Sequence, residues 1–322
     1  MVKINLKSAS ILVTGASGFV GRLLCAELFQ QGYEVRVAVR SVNVHVDNFK
    51  RAVVDSIGGA TDWSTALRNV DCIVHLAARV HVMNESTIDS LAEYRKVNVE
   101  GTLNLAMQSA QLGIKRFVFI SSIKVNGEHT ESDKPFTEED FANPQDAYGI
   151  SKFEAEQGLL QIAKQTGMEV VIIRPPLVYG AGVKANFASM MRAVKCGIPL
   201  PLGAIHNKRS FVYIANLVSL ITRCIDHPAA ANQVFLVSDG CDLSTIELLR
   251  DCAEAFGVKA RLLPVPQRLI EVAAALIGKK SVAQRLCGNL QVDISKARTL
   301  LGWTPPVSVA EGLKATALGF PE

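Results

Sequence analysis

The chain has 322 residues, of which 49% are hydrophobic and 20% charged, and this composition is ordinary for a globular protein. It excludes a disordered or fibrous chain, and the length allows one large or two medium domains. The formal net charge is only +4. Because Lys and Arg are scattered, without the dense basic patch typical of nucleic-acid binders, no nucleic-acid partner is expected.

Targeting, membrane and metal signals are weak throughout the sequence. Residues 1–10 lack the apolar core of a signal peptide. Residues 272–277 are too short to span a bilayer; they could touch a membrane surface, but a packed helix is the favoured interpretation. No cysteine spacing is typical of a metal site, so we expect reduced thiols in a cytoplasmic protein with no metal and no membrane span. The seven cysteines are Cys25, Cys72, Cys196, Cys224, Cys241, Cys252 and Cys287.

The first forty residues predict a strand, a glycine-rich turn, a helix and a second strand. Residues 11–13 form an apolar run, and helical spacing follows over residues 19–31. Gly32 is a typical helix end, and residues 33–39 predict the second strand. A β-α-β unit of this kind implies a parallel sheet with a right-handed crossover.

The alternation of strands and helices continues to about residue 174. Further strands are predicted at 51–54, 72–76, 116–120 and 169–173, with long helices at 91–112 and 147–165. This order predicts an α/β fold with a doubly wound, Rossmann-type parallel sheet.

Prolines and glycines break this rhythm after residue 174. Helices are predicted there at 187–196, 245–256 and 266–277. We therefore divide the chain into a dinucleotide-binding domain, residues 1–175, and a smaller substrate-binding region, residues 176–322. The two are expected to pack as one unit, because no linker separates them.

The turn after the first strand reads TGASGFVG over residues 14–21. Its glycines allow the backbone to approach a pyrophosphate, and the following helix N-terminus offers free N–H groups and a partial positive charge. Its place between strand and helix predicts a dinucleotide site. The predicted cofactor-binding residues here are Gly15, Ser17, Gly18, Phe19, Val20 and Gly21.

The spacing of these glycines resembles the TGxxGxxG signature of extended short-chain dehydrogenases/reductases. Arg40 directly follows the second strand, where NAD-dependent enzymes of this fold place an acidic residue on the ribose. Arg40 can pair with a 2′-phosphate, so NADP is slightly favoured over NAD, the alternative being a solvated loop arginine. Asp55 or Ser56, after the third strand, is expected to face the adenine; the loop register leaves both open.

Tyr148 and Lys152 are four residues apart at the start of the predicted helix 147–165, so they lie on one face of it. An ammonium beside a phenol favours the phenolate, so we expect the pKa of Tyr148 to fall from its usual value of about 10. A group tuned in this way suits hydride transfer at a carbinol carbon. The pair resembles the family's catalytic YxxxK. The resemblance implies that Tyr148 and Lys152 also contact the cofactor, Lys152 through the nicotinamide ribose.

Residues 122–127, SIKVNG, resemble the S-x-x-V-Y-G of UDP-sugar 4-epimerases, with Asn126 in place of the tyrosine. This resemblance implies that Ser122 is catalytic and holds the reacting oxygen of the substrate. Related 4,6-dehydratases carry an Asp-Glu acid/base pair where Ile123 and Lys124 stand. Dehydration is therefore not expected.

Two further segments resemble family motifs around the cofactor. His75 opens the sequence HLAA, whose family counterpart lines the cofactor, which implies contacts from Leu76, Ala77 and Ala78. His75 itself is interpreted as a core histidine. Residues 98–102, NVEGT, resemble N-V-x-G-T, in which the Asn ties a strand to a helix.

The second region resembles nucleotide-sugar enzymes at residues 174–180, RPPLVYG, and 208–217, KRSFVYIANL. The resemblance places Asn186 on the sugar diphosphate and Arg209 on a phosphate, for which its planar fork is suited. Arg285 is a second phosphate ligand or a solvated helix residue. A UDP-sugar is the expected small-molecule substrate, and the two long helices resemble those that form a homodimer in this family.

Two enzymatic functions use the same residues. The main prediction is reduction of the 4-keto group of a UDP-4-keto-6-deoxy-hexosamine for surface-polysaccharide synthesis, with Tyr148 protonating O4. Arg40 favours it, as do Ser210 and Asn216, which replace the usual Asp residues. The alternative is a UDP-hexose or UDP-N-acetylhexosamine 4-epimerase acting through a transient 4-keto sugar. A non-catalytic dinucleotide sensor is a minor alternative, because Tyr148 and Lys152 are both present.

Overall fold

The computed structural model describes residues 9–41, 49–80, 90–276, 278 and 280–321. Its strands are β1 (Ser10–Thr14), β2 (Glu34–Val39), β3 (Lys50–Val53), β4 (Cys72–His75), β5 (Arg116–Ile120), β6 (Glu169–Arg174), β7 (Leu177–Tyr179), β8 (Arg209–Tyr213), β9 (Gln233–Leu236) and β10 (Asp242–Leu243). Its helices are α1 (Phe19–Gln30), α2 (Ser90–Tyr94), α3 (Thr102–Gln111), α4 (Ala147–Thr166), α5 (Ala185–Lys195), α6 (Ile214–Asp226), α7 (Thr245–Ala255), α8 (Gln267–Leu276), α9 (Lys280–Cys287), α10 (Ser295–Leu301) and α11 (Val309–Leu318).

Seven strands form one parallel sheet in the order β3-β2-β1-β4-β5-β6-β9. Every residue of β1, β4 and β5 is buried, as expected for strands covered on both faces. Strand order reverses between β1 and β4, which is where a doubly wound sheet opens a crevice at its carboxyl edge. The predicted Rossmann-type fold is confirmed.

Helices cover both faces of this sheet and form two apolar layers. One layer lies between the sheet and the helices α1 and α6. The other contains α3, α4 and the buried Trp63. A third apolar cluster, with Phe187, Met191 and Leu249 among its members, forms the core of the second region below the small sheet β10-β8-β7.

The second region also contributes to the large sheet, which the sequence did not predict. β9, residues 233–236, is its seventh strand, paired in parallel with β6. α6, which precedes β9, packs on α1. Residues on both sides of position 175 therefore build the sheet. As a division of binding roles, the boundary at 175 stays a prediction.

Two predicted helices differ in detail. The single helix expected over 91–112 is α2, a π-helical stretch from Arg95 to Gly101, and then α3. Asn98, in the π-helical stretch, is buried in the core. Apolar periodicity does not reveal that a polar residue is buried at this position. The helix expected over 266–277 is present as α8; it packs against the second region through Ile270, but none of its described residues is fully buried.

Within the described ranges, no helix combines the length and apolar character that crossing a membrane requires. The same residues contain no group of three or more His, Cys, Asp or Glu side chains placed to hold a metal ion.

Candidate functional site

The turn between β1 and α1 is held tightly by its glycines. Gly15 has a φ of +71°, and a Cβ there would lie 2.8 Å from the backbone nitrogen of Ala77. A Cβ on Gly21 would lie 2.2 Å from the carbonyl oxygen of Gly15. The Gly18 N–H donates to that same oxygen at 2.9 Å. Because α1 receives no side-chain cap, its first N–H groups are available to a phosphate.

His75 fixes the loop that faces this turn. It is fully buried, and its ring bonds the Thr14 hydroxyl at 2.7 Å and the Thr102 hydroxyl at 3.0 Å. The Ala77 N–H donates to the same Thr14 hydroxyl at 3.2 Å. Burial, with a contribution from Lys152, lowers the pKa of His75 to about 3. His75 is thus a neutral core residue that holds residues 76–78 against the glycine turn.

Asn98 joins the loop after β4 to α4. Its side-chain amide accepts from the Arg79 N–H at 2.8 Å and donates to the Arg79 carbonyl at 3.1 Å. It also donates to the Ser151 hydroxyl at 3.0 Å, one residue before Lys152 in the chain. Asn98 therefore couples Arg79, which follows the predicted cofactor loop 76–78, to the helix that carries Tyr148 and Lys152.

The predicted adenine side lies at the ends of β2 and β3. Arg40 is exposed directly after β2. Asp55 and Ser56 both line a cavity of approximately 980 Å³, whose other walls include Lys96 and Glu100. Contacts of Arg40, Asp55 or Ser56 with a nucleotide stay predictions, and the choice between Asp55 and Ser56 stays open.

Lys152 is buried between α4 and the carboxyl end of β5. Its Nζ donates to the Ile120 carbonyl at 2.7 Å and lies 4.4 Å from the centre of the Phe119 ring. The same Nζ is 5.9 Å from the centre of the Tyr148 ring. Burial lowers the pKa of Lys152 to about 7, although the charge of Glu156 acts in the opposite direction.

The lowered pKa expected for Tyr148 is wrong for this structure. Burial raises the pKa of Tyr148, and the charge of Asp146 and the nearby Tyr94 add to the effect. Desolvation prevails because the Lys152 ammonium is directed at the Ile120 carbonyl rather than at the phenol. Any lowering of the Tyr148 pKa must come from a bound nucleotide or substrate.

Ser122 lies two residues after the end of β5 and caps a short 3₁₀ turn, Ile123–Val125. Its Oγ accepts from the Lys124 N–H at 3.3 Å. The Lys124 Nζ donates to Glu128 at 2.7 Å and to the Asp146 carboxylate, which also caps α4 by accepting from the Gly149 N–H. These bonds place the Ser122 turn against the first turn of α4, where Tyr148 lies. Sequence reasoning missed this role of Lys124.

A buried ion pair lies next to the predicted catalytic residues. The Arg174 guanidinium donates to the Glu156 carboxylate at 2.6 Å and to the Asn126 Oδ1 at 3.0 Å. The Ser121 hydroxyl also donates to Glu156. All four side chains are buried. Glu156 was missed by sequence reasoning, although its position four residues after Lys152 was a usable signal. Asn126, in place of the family's tyrosine, belongs to this network.

The predicted phosphate ligands lie in the second region. Arg209, on β8, donates to the Gly288 carbonyl at 3.0 Å. Burial lowers the pKa of Arg209 to about 10; Glu128 opposes this and Arg285 adds to it. The two arginines are therefore close enough to interact. Arg285 is exposed on α9 and Asn186 is exposed in the first turn of α5. Their contacts with a substrate stay predictions.

Ser210 and Asn216, the two departures from the family's usual Asp, are buried structural residues. The Ser210 hydroxyl donates to Asp242 at 2.5 Å and accepts from the Val292 N–H at 2.9 Å. The Asn216 amide bonds Asp239 at 2.7 Å and both backbone groups of Val307. Because these side chains are occupied within the fold, they no longer favour reduction over epimerisation.

A parallel sheet with a glycine turn at its switch point, and with Ser122, Tyr148 and Lys152 near the carboxyl end of β5, defines an enzyme of the extended short-chain dehydrogenase/reductase class. The profile of the NAD dependent epimerase/dehydratase family matches residues 11–238. The chain belongs to that family.

Known relatives are similar over nearly the whole chain. A Vibrio cholerae protein named UDP-glucose 4-epimerase is 52% identical over 313 residues, 97% of this chain and 95% of the relative. The solved UDP-glucose 4-epimerase of Thermotoga maritima with UDP-glucose has a TM-score of 0.76 and 25% identity, covering 97% and 98% of the two chains. The UDP-glucuronic acid 4-epimerase of Bacillus cereus with NAD has a TM-score of 0.75 and 22% identity, covering 97% and 98%.

These similarities confirm the predicted family, the fold and the assignment as an NAD-dependent nucleotide-sugar enzyme. They agree better with the predicted alternative, epimerisation, than with the main prediction of 4-keto reduction. The slight preference for NADP has no support among them and stays a prediction.

Proposed function

We propose that this protein is a UDP-sugar 4-epimerase that holds NAD as a recycled cofactor. The observation that carries the proposal is the 52% identity, over 97% of the chain, to the Vibrio cholerae protein named UDP-glucose 4-epimerase. The burial of Ser210 and Asn216 in structural bonds removes part of the argument for a reductase.

The residues of the turn fit a dinucleotide. Gly15 and Gly21 leave room that a Cβ would fill, and the uncapped start of α1 offers N–H donors to the pyrophosphate. Residues 76–78, held by His75 and Thr14, form the opposite wall. Bound NAD would supply the redox chemistry, accepting a hydride from the sugar C4 and returning it to the other face of that carbon.

Tyr148 exchanges the proton of the sugar O4. Its pKa is raised by burial, so the phenol is protonated near neutral pH and is ready to donate. Proton removal needs a lower Tyr148 pKa, which the positive charge of a bound oxidised cofactor would favour. Ser122 orients the O4 atom by a hydrogen bond, and Lys152 contacts the nicotinamide ribose.

The sugar diphosphate is expected in the second region. Arg209 and Arg285 supply two positive charges that are close enough to repel each other. A bound diphosphate would relieve this repulsion by pairing with both guanidinium groups. Asn186 is placed to add a polar contact. The site leaves open which hexose is bound and whether its 2-substituent is a hydroxyl or an acetamido group.

The first experiment is to denature the purified protein and identify the released nucleotide. Stoichiometric NAD, together with interconversion of UDP-glucose and UDP-galactose or of their 2-acetamido analogues without added cofactor, is the expected result. A protein purified empty, which binds NADPH more tightly than NADH and reduces a UDP-4-keto sugar, would overturn the proposal and restore the reductase.

A further inference from the structure

Helix α8 presents an apolar face to solvent. Leu269, Val272 and Leu276 are 60%, 57% and 83% exposed, and their spacing places them on one side of the helix. The other side is anchored, because Ile270 contacts the apolar cluster of the second region. A soluble surface seldom groups large apolar side chains in this way, and such groups mark interaction sites.

The exposed apolar area continues beyond α8. Leu263, in the segment that leads into the helix, is exposed, and so is Val282 on α9, which packs against α8. We name these five residues the α8 surface; they are Leu263, Leu269, Val272, Leu276 and Val282.

The segment around the α8 surface has a larger net positive charge than the whole chain. Residues 258–287 contain six basic residues and one acidic residue, a net of +5, whereas the whole chain has a formal net charge of +4. The rest of the chain therefore sums to −1. The side chains of Lys259, Arg261, Arg268 and Arg285 are exposed. The basic residues are Lys259, Arg261, Arg268, Lys279, Lys280 and Arg285.

We propose that the α8 surface docks on an anionic phospholipid bilayer, with α8 lying in the plane of the interface. An apolar helix face flanked by cations is the combination that binds such a surface, the apolar residues entering the acyl boundary and the cations pairing with headgroup phosphates. Helix α8, with its 10 residues, is too short to cross the bilayer, so the contact is peripheral.

Two other occupants fit the observations less well. A symmetric second copy would bring the same +5 segment face to face with itself, and like charges oppose that contact. A nucleic acid would use the cations but would leave the apolar residues in water.

The test is flotation of the full-length protein with vesicles of phosphatidylcholine alone or mixed with phosphatidylglycerol. We expect at least about tenfold more binding to the mixed vesicles, decreasing at high NaCl. The triple variant L269Q/V272Q/L276Q should lose at least about tenfold in binding. The matched control L112Q/L300Q/L318Q, which alters exposed leucines on other surfaces, should bind like the wild type.

A second variant, R261Q/R268Q, tests the contribution of charge separately. Both side chains are exposed, and neither belongs to the predicted catalytic, cofactor-binding or substrate-binding residues. Its binding should weaken on mixed vesicles only. Three results would each overturn the proposal: no binding of the wild type to mixed vesicles at low salt, equal binding of wild type and L269Q/V272Q/L276Q, or light scattering that shows an α8-dependent dimer with no vesicle binding.

Discussion

Tyr148 and Lys152 show how burial competes with charge at single residues. Their spacing on α4 suggested an ammonium that lowers a phenol pKa, yet burial raises the pKa of Tyr148 and lowers that of Lys152 to about 7. Both shifts disfavour the charged forms, because each group has left water without a full set of compensating partners. A phenolate at Tyr148 therefore needs stabilisation that a bound ligand would supply.

Replacing Tyr148 by Phe should therefore remove the proton exchange and little else. We expect kcat to fall by about 10²- to 10⁴-fold, the range typical of a lost general acid/base. Bound nucleotide and thermal stability should be close to those of the wild type. Turnover is measured with a coupled UDP-sugar assay.

Tyr33→Phe is the matched control. Tyr33 precedes β2 at the amino end of the sheet, and its hydroxyl donates to Asp226 at 3.2 Å. This variant should turn over like the wild type. If Tyr148→Phe also kept wild-type turnover, Tyr148 would not be the proton-exchanging group.

Between elements, the ion pair of Glu156 and Arg174 fixes α4 on β6. Glu156 lies on α4 and Arg174 ends β6, and both side chains are buried. Asn126 and Ser121 extend the contacts to the turn that holds Ser122. The turn that holds Ser122 and the helix that holds Tyr148 and Lys152 are thus positioned by one buried polar network.

Removing one charge of this pair should destabilise the folded protein. Glu156→Gln leaves the Arg174 guanidinium buried without a counter-charge, so we expect the free energy of unfolding to fall by about 3–5 kcal/mol. The double variant E156L/R174M removes both charges and should recover most of that loss. Urea unfolding of the three proteins measures both values. A double variant as unstable as Glu156→Gln would show that the unpaired charge is not the cause.

At the scale of the whole molecule, the two regions share one apolar layer, the one between the large sheet and the helices α1 and α6. Leu217, Leu220, Ile221 and Phe235, all from beyond residue 175, are fully buried in the apolar layer beside β1 and α1. Burial of such side chains contributes roughly 1.5–3 kcal/mol each, so four contribute roughly 6–12 kcal/mol. That is comparable to the entire stability of a typical domain, about 5–15 kcal/mol.

A fragment of residues 1–175 should consequently fail to fold. It lacks α6 and β9, and it would expose the apolar layer that they cover. We expect no near-UV circular dichroism and no cooperative thermal transition for the fragment, against a cooperative transition for the full chain. A fragment that melts cooperatively with native-like near-UV signal would show that the first region is independent.

Local pattern was enough to predict much of this protein. The glycine turn, the alternation of strands and helices up to β6, and the four-residue spacing of Tyr148 and Lys152 all depend on neighbours in the chain. Helix α6 was missed although its apolar periodicity is strong, because the prolines and glycines around it suggested an irregular region.

Tertiary structure alone decided the properties that depend on burial and on distant partners. It placed β9 in the large sheet, paired Glu156 with Arg174, and assigned Ser210 and Asn216 to structural bonds. It also set the direction of the Tyr148 and Lys152 pKa shifts and left α8 exposed. Sequence spacing determines which side chains share a helix face, whereas desolvation and long-range contacts exist only once the chain has folded.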